Sequence, residues 1–405
     1  MPADTSIMAP ASFSSLPPEL VSKICSDPGL EKEDLIALRL TSKVQGIHAS
    51  ATKAFGKRYF TEISLLYTEY SLETFVKICG HPVFGPCIRQ VELSCVRFDS
   101  DCFDESVQNL INCGYTRKQF MDQAQRLSAR CDAEDLFDAS DARALLERAF
   151  AHLATSDHSL TIVISTSENG AIGHSRIYLA DSYSEEFHVK VSFTLDLLLG
   201  SAKQSGCKVF KLDMTVASRW FAHSRNYDLS SLMHSISEVS LGLTFIRDDE
   251  DDEPWGFMLW MRKLLLCGTN IKILQLYPLT FDDNDDSDFE FFAEAISCLP
   301  LEELRLFNSR LHQKAMTDLS ESLGSTLRCL TIDCCNISGS WREILMSIQQ
   351  NCLQLDYLFI HDDNLALSRF PRVYRGVPAV RSGLEEMLEA EQRGAEVSAD
   401  QVEGQ

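Results

Sequence analysis

Near its start the chain carries apolar residues at helical spacing. Leu20, Val21 and Ile24 share one helical face. The preceding Pro17 fits the start of a helix, where backbone N–H groups have no partner in any case. The turn at residues 28–29, a Pro-Gly pair, then interrupts the pattern. This stretch predicts a short amphipathic helix followed by a break.

Two more helical runs follow within the first sixty residues. The second begins after Asp34, and its apolar residues are Leu35, Ile36, Leu38 and Leu40. Ser42 can cap the third helix. Five residues lie on one face of that helix: Val44, Ile47, His48, Ala51 and Phe55. Three such helices can close a small core, in which Leu35 and Leu40 are expected to be buried.

The larger part of the chain repeats an apolar frame, LxxLxLxxxxL. Its middle residues alternate as in a strand, and the residues after it have helical spacing. Seven copies can be read: IRQVELSCVRF, CKVFKLDMTVA, ISEVSLGLTFI, IKILQLYPLTF, LEELRLFNSRL, LRCLTIDCCNI and LDYLFIHDDNL. The last five begin at residues 236, 271, 301, 327 and 355, so their spacings are 35, 30, 26 and 28 residues.

These spacings bracket the period of leucine-rich repeats, in which each unit contributes one strand and one helix. The frame predicts an α/β fold: a curved leucine-rich-repeat-like solenoid with a parallel sheet. Cys335 occupies the position where such repeats turn the chain after the strand. The frame fades near residues 99–206, which we interpret as degenerate repeats plus an insertion, with a helix at 142–153 and a strand at Leu160–Ser165.

Composition narrows the function classes. The chain has 405 residues, 45% of them apolar, and a formal net charge of -22, which repels nucleic acids and anionic lipids. No signal peptide and no apolar run long enough to span a bilayer is found in the sequence. The 14 Cys are scattered without paired spacing. We therefore expect an intracellular protein with reduced, buried thiols and no nucleic-acid or membrane partner.

Two acidic runs, residues 248–253 and 282–288, follow repeat frames and are expected in loops. In the second run, Asp283, Asp285, Ser287 and Glu294 have EF-hand spacing, but Asp288 stands where the calcium loop needs Gly. The pattern disfavours calcium. A solvated acidic edge and a surface that attracts a basic target both remain open.

The other candidate chemistry is weak. The His residues show no HExxH or paired metal spacing, and residues 170–173 lack the third Gly of a nucleotide fingerprint. Cys334 and Cys335 beside Asp333 suggest a nucleophile, but no His is placed by sequence to activate them. We expect core and turn residues there, no metal, no cofactor and no catalytic residues.

The N-terminal helices resemble the F-box. The resemblance rests on residues 15–20 (SLPPEL), Ile24, residues 34–40 (DLIALRL) and residues 42–43 (SK), and it extends to proteins of the fungal type through a Phe-rich join and the repeats. It implies that the module binds the Skp-type linker of a ubiquitin ligase. The implied contacts are Leu16, Pro17, Leu20, Ile24, Leu38 and Arg39. The alternative, that these residues only fill the core, suits Leu35 and Leu40 better than Leu16 and Pro17.

The resemblance and the repeats together predict four segments: a disordered lead (1–13), an F-box (14–60), a leucine-rich-repeat-like solenoid (61–370) and a mostly disordered tail (371–405). The implied function is that of a non-catalytic, cytoplasmic or nuclear adaptor of an SCF-type (Skp, cullin, F-box) E3 ubiquitin ligase. Its partners would be the linker, through it a cullin, and an unknown substrate protein. A protein-interaction scaffold that recruits no cullin is the alternative, and an enzyme is disfavoured because no acid, base and nucleophile set emerges.

Overall fold

The fold is known from a computed structural model. It describes residues 16–41, 45–97, 116–135, 137–156, 158–166, 170–172, 188–189, 191–218, 229–245, 255–280, 288–361 and 372–403. The predicted lead, the Ser42 cap with Val44, Phe98, residues 248–253 and residues 282–287 lie outside these ranges.

Three helices form the N-terminal unit: α1 (Pro18–Cys25), α2 (Lys32–Thr41) and α3 (Gln45–Tyr59). α1 and α2 both pack against α3. Together with Phe84, which follows the third of them further along the chain, their buried residues form a hydrophobic cluster distinct from that of the rest of the described chain: Val21, Cys25, Leu35, Ile47, Ala51, Ala54 and Phe55. Phe60 and Ile78 pack against both clusters and join the two parts.

The strands, in chain order, are β1 (Glu62–Leu65), β2 (Gln90–Ser94), β3 (Val96–Arg97), β4 (Leu160–Ser165), β5 (His188–Val189), β6 (Val209–Ser218), β7 (Glu238–Phe245), β8 (Ile273–Thr280), β9 (Glu303–Phe307), β10 (Arg310–His312), β11 (Cys329–Asp333), β12 (Asn336–Ser338), β13 (Tyr357–His361) and β14 (Arg372–Arg375). Ten of them form one sheet in the order β1-β2-β4-β6-β7-β8-β9-β11-β13-β14. Neighbours are parallel except for β14, which pairs antiparallel with β13. Two small pairs, β3 with β5 and β10 with β12, lie beside this sheet.

The remaining helices are α4 (Glu69–Cys79), α5 (Arg117–Asp135), α6 (Ala139–Ala154), α7 (Val191–Gln204), α8 (Leu229–Met233), α9 (Trp255–Cys267), α10 (Asp288–Ser297), α11 (Gln313–Leu323), α12 (Trp341–Asn351) and α13 (Val377–Glu403). α4 contacts α6, and from α6 to α13 each helix contacts the next. Strands and helices thus form two layers that advance together along the chain. The part of the chain that the structure describes contains no helix long and apolar enough to cross a membrane.

The main core lies between these layers because alternate strand residues point to the helices. Residues in register across nine strands make one continuous buried row: Ile63, Val91, Ile162, Leu212, Val239, Leu274, Leu304, Leu330 and Leu358. A second row runs beside it, two residues further along each strand. The repeated frame therefore predicted most of the inward-facing strand residues, although Phe210 of the second copy is exposed and Val209 is buried in its place. The strand predicted at Leu160–Ser165 is confirmed.

The same turn recurs after β9 and β11. Asn308 and Cys334 adopt left-handed backbone conformations, with φ of 48° and 54°. The next residue in each case, Ser309 or Cys335, is buried and its side chain bonds the backbone carbonyl two residues earlier. Cys335 thus lies where the frame placed a turn residue.

The C-terminal segment differs from the prediction of a mostly disordered tail, which is wrong for residues 372–393. β14 extends the sheet, and α13 packs on α12 through Val380, Leu384 and Met387, which are buried. These apolar residues are spaced at four and three positions, so one helical face survives within a stretch dominated by Glu and Ala. Gly383 allows a close approach, because a Cβ there would lie 2.4 Å from the Tyr374 ring.

Candidate functional site

The exposed apolar residues of α1 form the first candidate surface. Val21 and Cys25 point into the N-terminal core, so Leu20 and Ile24, each one position earlier, lie about 100° away on the helix. They are 48% and 38% exposed. Pro17, also exposed, precedes the helix, and its carbonyl accepts the first helical hydrogen bonds. A one-turn apolar patch therefore faces solvent.

The other three predicted contact residues are drawn inward. Leu16 and Leu38 are half-buried and pack against the N-terminal core. The Arg39 guanidinium lies 4.5 Å from the centre of the Phe55 ring and 5.2 Å from that of Phe84. Its position over two rings gives Arg39 a structural role in addition to any contact it makes with a partner.

The prediction that Leu40 is buried is wrong. Leu35 is fully buried, as expected, but Leu40 is 80% exposed. Leu35 and the half-buried Leu38 are nearly one turn apart on α2, whereas Leu40 is displaced from Leu38 by about 200° and points away from the core. Leu40 is therefore a further exposed apolar side chain of the N-terminal unit, in addition to Leu20 and Ile24.

The face of the sheet opposite the helices is the second candidate surface. Its residues alternate with the buried rows and are mostly half-buried. Towards the N-terminal strands this face is polar: Lys211 is paired with Glu238, and Glu92 accepts hydrogen bonds from Ser64 and Ser165. These polar side chains satisfy one another across neighbouring strands.

From β8 onward the same face also carries aromatic side chains, in two groups on either side of β11. Tyr277 and Phe307 stack with ring centres 5.0 Å apart. Phe359 is paired across the strands with Val373, which is exposed, and Tyr357 lies under Arg375. Partly exposed aromatic residues and arginine are frequent anchors of protein interfaces. We call the set Tyr277, Phe307, Tyr357, Phe359 and Val373 the aromatic patch.

A cluster of three chemically reactive side chains lies at the end of β11 and β13. The Nδ1 atom of His361 is 2.9 Å from Oδ1 of Asp333 and 3.4 Å from Sγ of Cys334, and Sγ is 3.4 Å from the same Oδ1. The expectation that no His accompanies Cys334 is therefore wrong. Cys334 is exposed in the turn after β11, and Cys335 beside it is buried, so the pair does occupy one turn and one core position.

The sequence did contain a signal for this cluster. Asp333 and His361 are 28 residues apart, which is the spacing between their two repeat frames, and they pair in register on adjacent parallel strands. Residues at equal positions of consecutive repeats lie side by side. The pair has no metal-ligand spacing along the chain and becomes visible only when equivalent positions of the two frames are compared.

The acidic run that ends at residue 288 enters the described structure only at the start of α10. Glu294, the last of the residues with EF-hand spacing, forms an ion pair with Arg262 on α9. Its carboxylate thus has a protein partner. The other residues of that spacing lie outside the described ranges, so the acidic-edge and basic-target interpretations stay predictions.

Most of the described cysteines are buried or half-buried. Burial raises the pKa of Cys207 and of Cys352 to about 11, so both thiols stay protonated at neutral pH. Burial likewise raises the pKa of Cys79. Cys298 and Cys334 are exposed, which corrects the expectation of uniformly buried thiols.

We expect Cys298 and Cys334 to react first with a thiol-alkylating reagent in the native protein. Cys79, Cys207 and Cys352 should react only after denaturation, because they are shielded and protonated. Peptide mass spectrometry after short exposure to iodoacetamide measures the order. Native labelling of Cys352 ahead of Cys298 would contradict the packing of α12.

Comparison of the sequence with family models and curated proteins supports neither surface. A scan against models of known protein families finds no match, and no curated protein matches the chain significantly.

Proposed function

We propose that this chain is a non-catalytic recognition adaptor. In this proposal the N-terminal unit is an F-box that binds a Skp-type linker and through it a cullin, and the body is a leucine-rich-repeat-like solenoid that holds a substrate protein. The observation that carries the proposal is the solvent-facing pair Leu20 and Ile24 on a helical unit with its own core. The adaptor would act in the cytoplasm or nucleus.

The pair supports docking because its exposure has no use within the described chain. Neither side chain contributes to the buried core of its own helical unit. Fully burying a Leu or Ile side chain gains about 1.5 to 3 kcal/mol, and these two are already partly shielded, so each would gain roughly half of that in an interface. Two such residues one turn apart can anchor a helix in a partner groove.

The body supports a holding role through its repetition. Nine parallel strands follow chain order, and each of the later connections contains a helix. This arrangement supports an array of stacked repeats, a class of protein that binds its partners on an extended exposed surface. The aromatic patch supplies the side chains that most often dominate such interfaces.

A scaffold without ligase recruitment is the second candidate. It is favoured by the inward positions of Leu16, Leu38 and Arg39, because a linker would then contact fewer of the residues that the F-box resemblance implies. In that case the helical unit would bind another protein, or none, while the aromatic patch still holds a partner.

Proximity labelling separates the two candidates. The full chain would carry a biotin ligase, and three forms would be compared: wild type, Leu20→Asp with Ile24→Asp, and Tyr277→Ser with Val373→Ser. For an adaptor, the first variant loses the linker and cullin but keeps the other neighbours, and the second shows the converse. Wild-type labelling without any cullin would support the scaffold, and a neighbour set unchanged in both variants would overturn both candidates.

A further inference from the structure

We infer that Asp333, Cys334 and His361 form a three-ligand site for a borderline transition-metal cation such as Zn²⁺. The cluster lies at the carboxyl end of β11 and β13, and Asp333 is paired in register with Phe307 of the aromatic patch on β9. It offers one sulfur, one nitrogen and one oxygen donor, all within 4.8 Å of one another. The inference does not depend on the proposed adaptor function.

The distances fit tetrahedral coordination. With Zn–S of about 2.3 Å and Zn–N and Zn–O of about 2.0 to 2.2 Å, the edges of the tetrahedron are about 3.3 to 3.6 Å long. The two edges that involve Sγ of Cys334 measure 3.4 Å each. The edge between His361 and Asp333 measures 2.9 Å, so it must lengthen by only about 0.4 Å to admit the cation.

The same distances argue against a Cys-His-Asp catalytic triad. In a triad one imidazole nitrogen faces the nucleophile and the other faces the carboxylate. Here a single atom, Nδ1 of His361, is nearest to both Sγ of Cys334 and Oδ1 of Asp333. One nitrogen cannot accept the thiol proton while it donates to the carboxylate. Three ligand atoms with lone pairs, all close to one another, can instead coordinate a cation.

The backbone holds the three residues in place. Asp333 and His361 are paired in the parallel ladder, and the N–H of Cys334 donates to the carbonyl of His361 at 2.7 Å. Cys334 has φ of 54°, a conformation that Asn tolerates better than most residues, and Asn does occupy the equivalent turn position at 308. A cysteine kept in a costlier conformation, with its thiol aimed at a His and an Asp, points to a function for the sulfur.

Solvent access leaves room for a fourth ligand. The side chains of Asp333 and His361 are each 31% exposed, and Cys334 is exposed. Three protein ligands with water in the fourth position is the arrangement of open zinc sites. The cation binds the thiolate of Cys334 and the neutral imidazole of His361, and the thiol proton goes to the solvent. The affinity for the cation therefore rises with pH.

Cobalt titration of the full chain tests the inference. The chain would be freed of metal with a chelator and titrated with Co²⁺, whose thiolate ligation gives a near-ultraviolet charge-transfer band. We expect the band to reach its full intensity at one equivalent of Co²⁺ and to disappear when one equivalent of Zn²⁺ is added. Cys334→Ser should abolish the band, and His361→Gln or Asp333→Asn should weaken Co²⁺ binding by about tenfold or more.

Cys298→Ser is the matched control, because it removes the other exposed described thiol and should leave the band unchanged. Thermal unfolding of each apo variant checks that the fold is retained. Absence of a charge-transfer band in the wild type would overturn the site. A band that persists in Cys334→Ser would do so as well, since other thiols would then be the ligands.

Discussion

Replacing Leu20 and Ile24 together by Asp is expected to lower the affinity for a purified Skp-type linker by about a hundredfold or more. Two carboxylates would replace two apolar anchors in the interface, and about 1.4 kcal/mol lost at each position already gives that factor. Both side chains are only partly exposed, so the two substitutions together should lower the free energy of unfolding by about 1 to 3 kcal/mol, and a thermal unfolding curve checks that the variant is folded. Isothermal titration calorimetry with the full chain measures the affinity.

The matched control carries the same chemistry elsewhere. Leu266→Asp with Leu353→Asp also places two acids at exposed apolar positions, one on α9 and one after α12. It should bind the linker as the wild type does. Equal binding by the control and by the α1 variant would show that the Leu20 and Ile24 pair is not the docking surface, and weak binding by the wild type would remove the F-box proposal itself.

The second large effect is expected at the other end of the chain. Leu384→Ala and Met387→Ala should each lower the free energy of unfolding by about 2 to 5 kcal/mol. Both side chains are buried where α13 packs on α12 and the sheet, so truncation leaves a cavity. Since α13 packs on α12, the loss should also loosen α12. Urea denaturation measures the stability, and amide hydrogen exchange shows where it is lost.

Glu385→Ala supplies the comparison, because Glu385 is exposed on the same helix turn and Ala has the higher helix propensity. Its stability should stay within about 0.5 kcal/mol of the wild type. If Met387→Ala behaved in the same way, the segment after residue 376 would be dispensable, as the sequence had suggested for a polar tail.

The apolar frame identified most of the sheet, because the alternation of apolar and polar residues in a strand can be seen within a few consecutive residues. Positions such as Leu304, Leu330 and Leu358 are apolar in every repeat, and the parallel register places them side by side. β1 was not predicted, since EISL is too short to show an alternation by itself. α13 was missed because the many Glu residues of its outer face hid four buried apolar positions.

The candidate surfaces were predicted less completely, because they depend on which face of an element is covered. The resemblance named Leu20 and Ile24, which are exposed, and also Leu38, which is half-buried. Periodicity could not separate these cases, since all three lie on helices with apolar residues on more than one side. The position of Arg39 over Phe55 and Phe84 required the packing of three segments that are distant in sequence.

The antiparallel strand β14 has a consequence for self-association. A stack of parallel strands can in principle grow when a second molecule adds its first strand to the last one, which leads to filaments. Here β14 runs in the opposite direction and carries the exposed Arg375, whereas Arg372 beside it is paired with Glu386. A first strand arriving in parallel would meet a different ladder pattern and an exposed positive charge, which disfavours end-to-end polymerisation.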